Sequence, residues 1–279
     1  MSLGLFESFF PVLASALDAY IRIFPIDLVR YLMGAGGVYL VVNVLLRRRL
    51  APLKIRAIDP MDGQKQREFI TSLRTVMIFA LNGTFIFLFM EAGVIQLAGP
   101  LPETGIAFHA ISLVAIIVAH DAWFYWTHRL IHDRRLFRRM HRTHHRSKVP
   151  TAWAAYSFDQ SEAWINAIFL PIYLVLVPTP SLVIFLFLVH MIVRNALGHC
   201  GVEVYPATRD GKPLFDWMTT TTHHDLHHEF GRWNYGLYFT WWDRRMGTEH
   251  PLYHERFARS VGIPLNGSAV AAVGGVRRV

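Results

Sequence analysis

Eight histidines fall into three short clusters, His128-x3-His132, His141-x2-His144-His145 and His224-x2-His227-His228. Residues three or four apart share one face of a helix, so the imidazoles of each cluster point the same way. Eight convergent imidazoles exceed what one tetrahedral zinc uses, and two metals sharing them, with room for an exchangeable ligand, suit the number better. Imidazole suits iron, zinc and copper, whereas calcium and magnesium prefer oxygen. A solvated basic loop would explain a single His-x3-His pair, but not three clusters on one face of a membrane.

Further candidates surround the clusters. His199, within Gly198-His-Cys-Gly201, is an additional candidate ligand, and Glu203 a candidate carboxylate partner. His120 and His223 are each a ligand, a donor to a ligand, or an ordinary interfacial residue. Asp121, Asp225 and Glu229 adjoin candidate ligands and either orient them through the free ring nitrogen or are plain helix-surface charges. His190 and Arg194 stand four apart in an apolar tract, where ionisable groups usually face a cavity or a partner. They are candidates for a substrate channel, with snorkelling to the interface as the alternative for Arg194.

These residues must be positioned by membrane helices. The 279 residues are 53% hydrophobic and 14% aromatic, with mean hydropathy +0.28, too apolar for an ordinary soluble domain. The formal net charge is +8, yet the cations sit beside apolar stretches, at Arg47–Arg49 and from Arg134 to Lys148. That placement disfavours nucleic acid and fits span ends and anionic headgroups. Cys200 is the single cysteine, which excludes an intrachain disulfide and a Cys-based zinc ribbon. No basic n-region precedes the N-terminal apolar stretch, so no cleavable signal peptide is expected.

Residues 1–25 carry Glu7, Asp18 and Arg22 and suit an interfacial amphipathic helix. Spans are expected near 26–46, 73–98 and 106–126, each long enough for a hydrocarbon core of about 30 Å. Residues 163–197 form an apolar tract broken at Pro178-Thr-Pro180, which reads as a helical hairpin. The positive-inside rule puts Arg47–Arg56 and His128–Lys148 inside, together with everything after His199. All three clusters then face the cytoplasm. The expected fold is an all-α integral membrane protein with about three transmembrane helices, a proline-broken hairpin and a cytoplasmic, histidine-rich di-metal cap. Its expected domains are a membrane region at 1–105, a catalytic domain at 106–255 and a flexible tail at 256–279.

His120-Asp-Ala-Trp-Phe-Tyr-Trp-Thr-His-Arg-Leu-Ile-His132, His141-Arg-Thr-His-His145 and Thr222-His-His-Asp-Leu-His-His228 resemble the fatty acid hydroxylase/sterol desaturase superfamily. Asn234-Tyr-Gly236 and Trp242-Asp-Arg-Arg-Met-Gly-Thr248 are similar to its sterol C5-desaturase-like branch. The resemblance spans roughly residues 106–250. It implies a di-iron centre at His128, His132, His141, His144, His145, His224, His227 and His228, with His199 as an additional ligand. It also implies O2 as co-substrate, a membrane lipid substrate, and electrons from cytochrome b5 or a ferredoxin-type donor with its reductase. One departure stands out: relatives often carry a His-Pro pair before an acidic residue where this chain reads Asp159-Gln-Ser-Glu162. His250-Pro-Leu-Tyr-His254 lacks the glycines of a cytochrome b5 haem motif, so the donor is expected to be a separate protein.

The expected activity is O2-dependent hydroxylation or desaturation of a sterol-like or long-chain lipid, and the motifs do not choose between the two outcomes. A zinc-dependent hydrolase is the alternative within enzymes, but His-Glu-x2-His is absent. A metal-binding or transport protein is the alternative outside them, although a transporter would place its ligands near the bilayer midplane. Arginine outnumbers lysine, and Val276-Arg-Arg-Val279 is no dilysine signal. Both points favour a bacterial inner membrane over the endoplasmic reticulum.

Overall fold

The apolar tracts fold into long helices. A computed structural model describes residues 3–265, and it forms no strand among the described residues. Helix α1 (Leu3–Tyr31) continues through π-helical turns at Leu32–Gly36 and Tyr39–Leu45 before the short basic α2 (Arg47–Leu50). The stretch Phe10–Leu45 is apolar and long enough to cross a membrane as one rod. The expected break near residue 25 is therefore not there. Asp18 and Arg22 neutralise each other one turn apart at 2.9 Å, and Pro25 lies inside the helix without ending it.

Three more helices are long and apolar enough to span: α3 (Gln64–Glu91), α4 (Leu101–Ile131) and, after the hairpin, α9 (Ser181–Gly198). The first arm of the hairpin is α7 (Gln160–Ala167) and α8 (Phe169–Leu176), between the cap and the Pro178–Pro180 turn. Gly105, at φ 81°, kinks α4 near its start. At 31 residues, α4 runs about 46 Å, well beyond a hydrocarbon core of about 30 Å. The helix is thus about ten residues longer than such a core needs, and His128 and His132 lie at its C-terminal end.

The helices pack through small residues and buried rings. A Cβ on Gly34 would lie 2.6 Å from Ile192 Cγ1, so the glycine lets the π-helical turn meet α9 closely. The Ala152–Tyr156 turn is inserted between α3 and α9, with Ala152, Ala154 and Ala155 fully buried. Tyr31 and Ser72 hydroxyls both donate to the Trp153 carbonyl, and Asn195 Nδ2 donates to that of Ala155. Three membrane helices thus hold the turn that follows the second histidine cluster.

The cap comprises α5 (Phe137–Met140), α6 (Arg142–His145), α10 (Thr221–Phe230), α11 (Trp241–Arg245) and α12 (Tyr253–Val261). Tyr253 and Phe257 of α12 bury against Leu226 of α10, so helix crosses the boundary expected at residue 255. Residues 266–279 of the expected tail, with Val276–Val279, lie outside the described residues.

Candidate metal centre

The nine histidines gather into two groups, His128, His132, His141, His145 and His227 in one, and His144, His199, His224 and His228 in the other. Within each group the donor atoms all lie within 4.8 Å of one another. The spacing predicts that each cluster points one way, but the second and third clusters divide between the groups. Each i, i+4 pair (128/132, 141/145, 224/228) stays together, while the i+3 residues His144 and His227 point to the neighbouring group. His199, at the end of α9, supplies the fourth ring of the smaller group.

The ring nitrogens converge closely. In the larger group the Nε2–Nε2 separations are 3.0 Å for His128–His141, 3.2 Å for His132–His227, 3.2 Å for His145–His132 and 3.0 Å for His145–His227. In the smaller group His199 Nε2 lies 3.3, 3.0 and 3.1 Å from those of His144, His224 and His228. Metal–imidazole bonds of about 2.0–2.1 Å put right-angled donors about 3.0 Å apart and tetrahedral donors about 3.4 Å apart. Both groups fall within this range, and the five rings of the larger one exceed the four donors of a tetrahedral zinc.

The outer nitrogens fix which way the lone pairs face. Nδ1 of His128, His227 and His199 lies 2.9, 2.7 and 2.7 Å from the carbonyls of Tyr235, Trp233 and Asn195. A carbonyl only accepts, so these Nδ1 atoms carry the proton and each Nε2 turns its lone pair inward. Lone pairs facing each other at such distances repel unless a cation lies between them, which is the fit expected of metal ligands. Burial holds the rings neutral. His199 is pushed down to about 4 and His132 to about 2 from the ordinary 6.5. His141, His144, His145, His224, His227 and His228 are driven well below 6.5 by the same loss of solvent.

The loop after α10 supplies two of those carbonyls. Asn234 adopts φ 58°, donates through Nδ2 to the His223 carbonyl and accepts from His250 N–H. Asp243 takes the N–H groups of Tyr235 and Gly236. A Cβ on Gly236 would lie 2.6 Å from the Phe239 carbonyl oxygen. The Asn-Tyr-Gly and Trp-Asp-Arg-Arg segments therefore shape the support beneath His128 and His227.

The other expected site residues lie outside both groups. His120 is buried with Nδ1 3.0 Å from the Tyr238 hydroxyl and its ring against Phe169 and Phe187. His223 leaves α10 on the far side from the metal face, its ring against Tyr253. Asp121 accepts from the N–H groups of Tyr238 and Phe239. Asp225 takes two hydrogen bonds from Arg56 Nε, at 2.9 and 2.7 Å, and Glu229 lies 3.8 Å from Arg56 Nη2. Glu203 accepts from Tyr205 N–H and from Thr222 N–H in the first turn of α10. These carboxylates face backbone N–H groups, Arg56 or, for Glu229, also Arg256 at 3.6 Å, and none is hydrogen-bonded to a clustered imidazole.

His190 stacks on Tyr238 with ring centroids 4.6 Å apart. Arg194 does not snorkel. It is buried, donating to the Thr219 and Tyr238 carbonyls and to Thr219 Oγ1, and so ties α9 to the cap. Neither residue lines the apolar cavity between α1, α3, α8 and α9.

One residue of the site escaped the motif reading. Glu162, buried in the first turn of α7, has Oε1 2.8 Å from His141 Nδ1. Asp159, just before it, accepts from Thr143 N–H and Oγ1–H and holds the α6 turn. Both lie in the segment whose sequence departs from the usual pattern. The signal available was an acidic residue at a helix start closely following the second cluster.

The fatty acid hydroxylase family model matches residues 113–248, which contain all nine histidines. The chain is 31% identical over 189 residues to Delta(7)-sterol 5(6)-desaturase ERG3B of Gibberella zeae, covering 67% of this chain and 57% of that protein. It is 28% identical over 199 residues to lathosterol oxidase of Mus musculus, covering 70% and 64% of the two chains. It is 29% identical over 132 residues to methylsterol monooxygenase 1 of Rattus norvegicus, covering 47% and 44%. The matched region is less than two thirds of the length of each of these relatives. No solved structure matches the chain.

Proposed function

Because the chain belongs to the fatty acid hydroxylase/sterol desaturase superfamily, we propose that it is a membrane oxidoreductase that hydroxylates or desaturates a sterol-like or long-chain lipid. It uses O2 and electrons from a separate donor, a cytochrome b5 or ferredoxin-type protein. The observation that carries this reading is the division of nine buried histidines into two adjacent donor sets at the end of apolar helices. The larger set would hold one iron and the smaller a second. Bound there, the iron pair supplies the O2 activation needed to oxidise an unactivated C–H bond.

The chain's own residues do the rest. Burial excludes water and keeps the imidazoles unprotonated. The carbonyls of Tyr235, Trp233 and Asn195 hold their rings in one orientation, and the Glu162 carboxyl stands 2.8 Å from His141 Nδ1. Burial pushes the Glu162 carboxyl well above its usual range, so a cation held by His141 would be what draws out its charge beside that nitrogen. The apolar cavity beside α4 offers a dry approach for a lipid from the bilayer. A cytoplasmic orientation is supported by Arg47–Arg49, Lys54 and Arg56, which share the histidine end of the helices.

Mass spectrometry of total membrane lipids under isotope-labelled O2 tests the reading, comparing cells that express wild type and His145→Ala with a competent donor. A lipid gaining one labelled oxygen only in wild type identifies a hydroxylase. A lipid losing two hydrogens without label identifies a desaturase. Identical lipids, with iron bound, would leave the metal-carrier reading in its place.

A further inference from the structure

We propose that the cavity between α1, α3, α8 and α9 is an anchoring site for the hydroxyl of a neutral lipid alcohol, built from Asp27, Arg30 and Asn82; this rests on the lipid-oxidising reading above. The cavity, of about 210 Å³, lies among membrane-spanning helices. Most of its lining is apolar, including Ile86, Leu170, Ile184 and Phe187. Into this lining α1 places an ion pair, Arg30 Nη1 to Asp27 Oδ1 at 2.9 Å, with side chains only 12% and 9% exposed. Asn82 of α3 is buried at the same cavity.

The depth of the pair is what calls for a function. Helices α1 and α3 run antiparallel. Ser15 meets Glu91 at one end and Tyr39 meets Lys65 at the other, so Asp27 and Arg30 lie well inside the span. Charges there are costly and usually face a partner or a pathway. A helical strut would need only the two side chains, yet Arg30 lines the cavity wall and its Nε, with the nearby Tyr156 hydroxyl, is buried without a hydrogen bond of good geometry among the described residues.

The chemistry of the set selects the ligand. Asp27 already balances Arg30, so a fatty carboxylate would bring an unmatched negative charge into hydrocarbon. A hydroxyl adds no charge, donates to the Asp27 carboxylate and accepts from the Arg30 guanidinium or the Asn82 amide. The apolar body would then lie along the cavity. Two wall residues link this space to the metal centre. His120 stands two turns, about 12 Å, before His128 on α4, and Asn166 Nδ2 donates to the carbonyl of Glu162. Holding the hydroxyl fixes how far along the skeleton the oxidised carbon falls.

The test is equilibrium binding to the full-length, iron-loaded protein in nanodiscs without O2, using radiolabelled cholestanol, its hydrocarbon counterpart cholestane, and palmitate. Wild type should prefer cholestanol to cholestane by about tenfold or more, the discrimination of a desolvated hydrogen bond to a charged group. Asp27→Asn and Asn82→Leu should each lose about tenfold for cholestanol, approach the cholestane value, and keep their iron content. Asn82→Leu leaves the ion pair intact and carries the test should Asp27→Asn not fold. Equal binding of cholestanol and cholestane, tighter binding of palmitate, or wild-type affinity in the variants would overturn the assignment. Binding without turnover isolates it from the redox reading. Selective cholestanol binding by a protein that never oxidises lipid would sink that reading and leave the anchor standing.

Discussion

Glu162 is the side chain placed to act on the candidate metal centre without being one of its nine histidines. Its carboxyl faces His141 Nδ1 at 2.8 Å with both residues buried, the place from which a partner could set the tautomer and tilt of the ring once a metal is bound. Glu162→Leu should weaken iron binding by about 10–100-fold, the usual effect of removing such a partner. Glu162→Gln should fall between, because its amide oxygen still accepts the proton. Chelator competition reads both, and unchanged affinity in Glu162→Leu would remove the residue from the centre. The imidazoles add a pH dependence whose sign is fixed. Burial pushes His199 down to about 4 and His132 to about 2 in the folded chain, against 6.5 for an exposed ring. Between those values the unfolded chain takes up protons that the folded chain refuses. Stability of the metal-free protein is therefore full above about pH 6.5 and falls as pH drops below it. Thermal unfolding of metal-free protein at pH 7.5 and pH 5 checks this, with the lower midpoint expected at pH 5 and equal midpoints counting against it.

At the scale of elements, Gly34 and the first helix matter most. Gly34→Val would drive new atoms into Ile192, whose Cγ1 already lies 2.6 Å from the position of a Cβ. Destabilisation of about 1–3 kcal/mol is expected, with partial rescue by Ile192→Ala in the same background. Thermal unfolding in detergent measures both, and an additive loss in the double variant would sink the contact. The same region marks where sequence reading failed. Asp18 and Arg22 look like the polar face of an interfacial helix until their mutual neutralisation is seen, and that needs side-chain geometry. The Pro178–Pro180 hairpin and the long α4 were legible because proline, charge and apolar length act locally. The grouping of the histidines was half legible. Spacing shows which rings share a face, but not that His199 from α9 completes the smaller set. Glu162 was hidden because its partner stands 21 residues away, and no local pattern joins the two.

Across the whole molecule, the centre joins the ends of α4 and α9 to α5, α6 and α10. His145 and His132 both lie within 3.2 Å of His227 across separations of 82 and 95 residues. Metal removal should therefore loosen the cap as a unit. Hydrogen exchange after chelation is expected to rise in 137–145 and in α10 while α3 stays protected, and uniform exchange across both regions would contradict it. Arg56 clamps Asp225 from the N-terminal side, so Arg56→Ala should expose α10 in the same experiment even with metal bound. The alternation of neighbours between the two groups has a further consequence for biosynthesis. No cluster completes either site, since the larger set needs His227 and the smaller needs His224 and His228. Those rings emerge only after Gly198, when the last apolar helix has already left the ribosome. Chain order alone would then let every apolar helix be made before either donor set is complete, and a ribosome stalled between α9 and α10 would leave a chain with all four apolar helices and neither set of histidines complete.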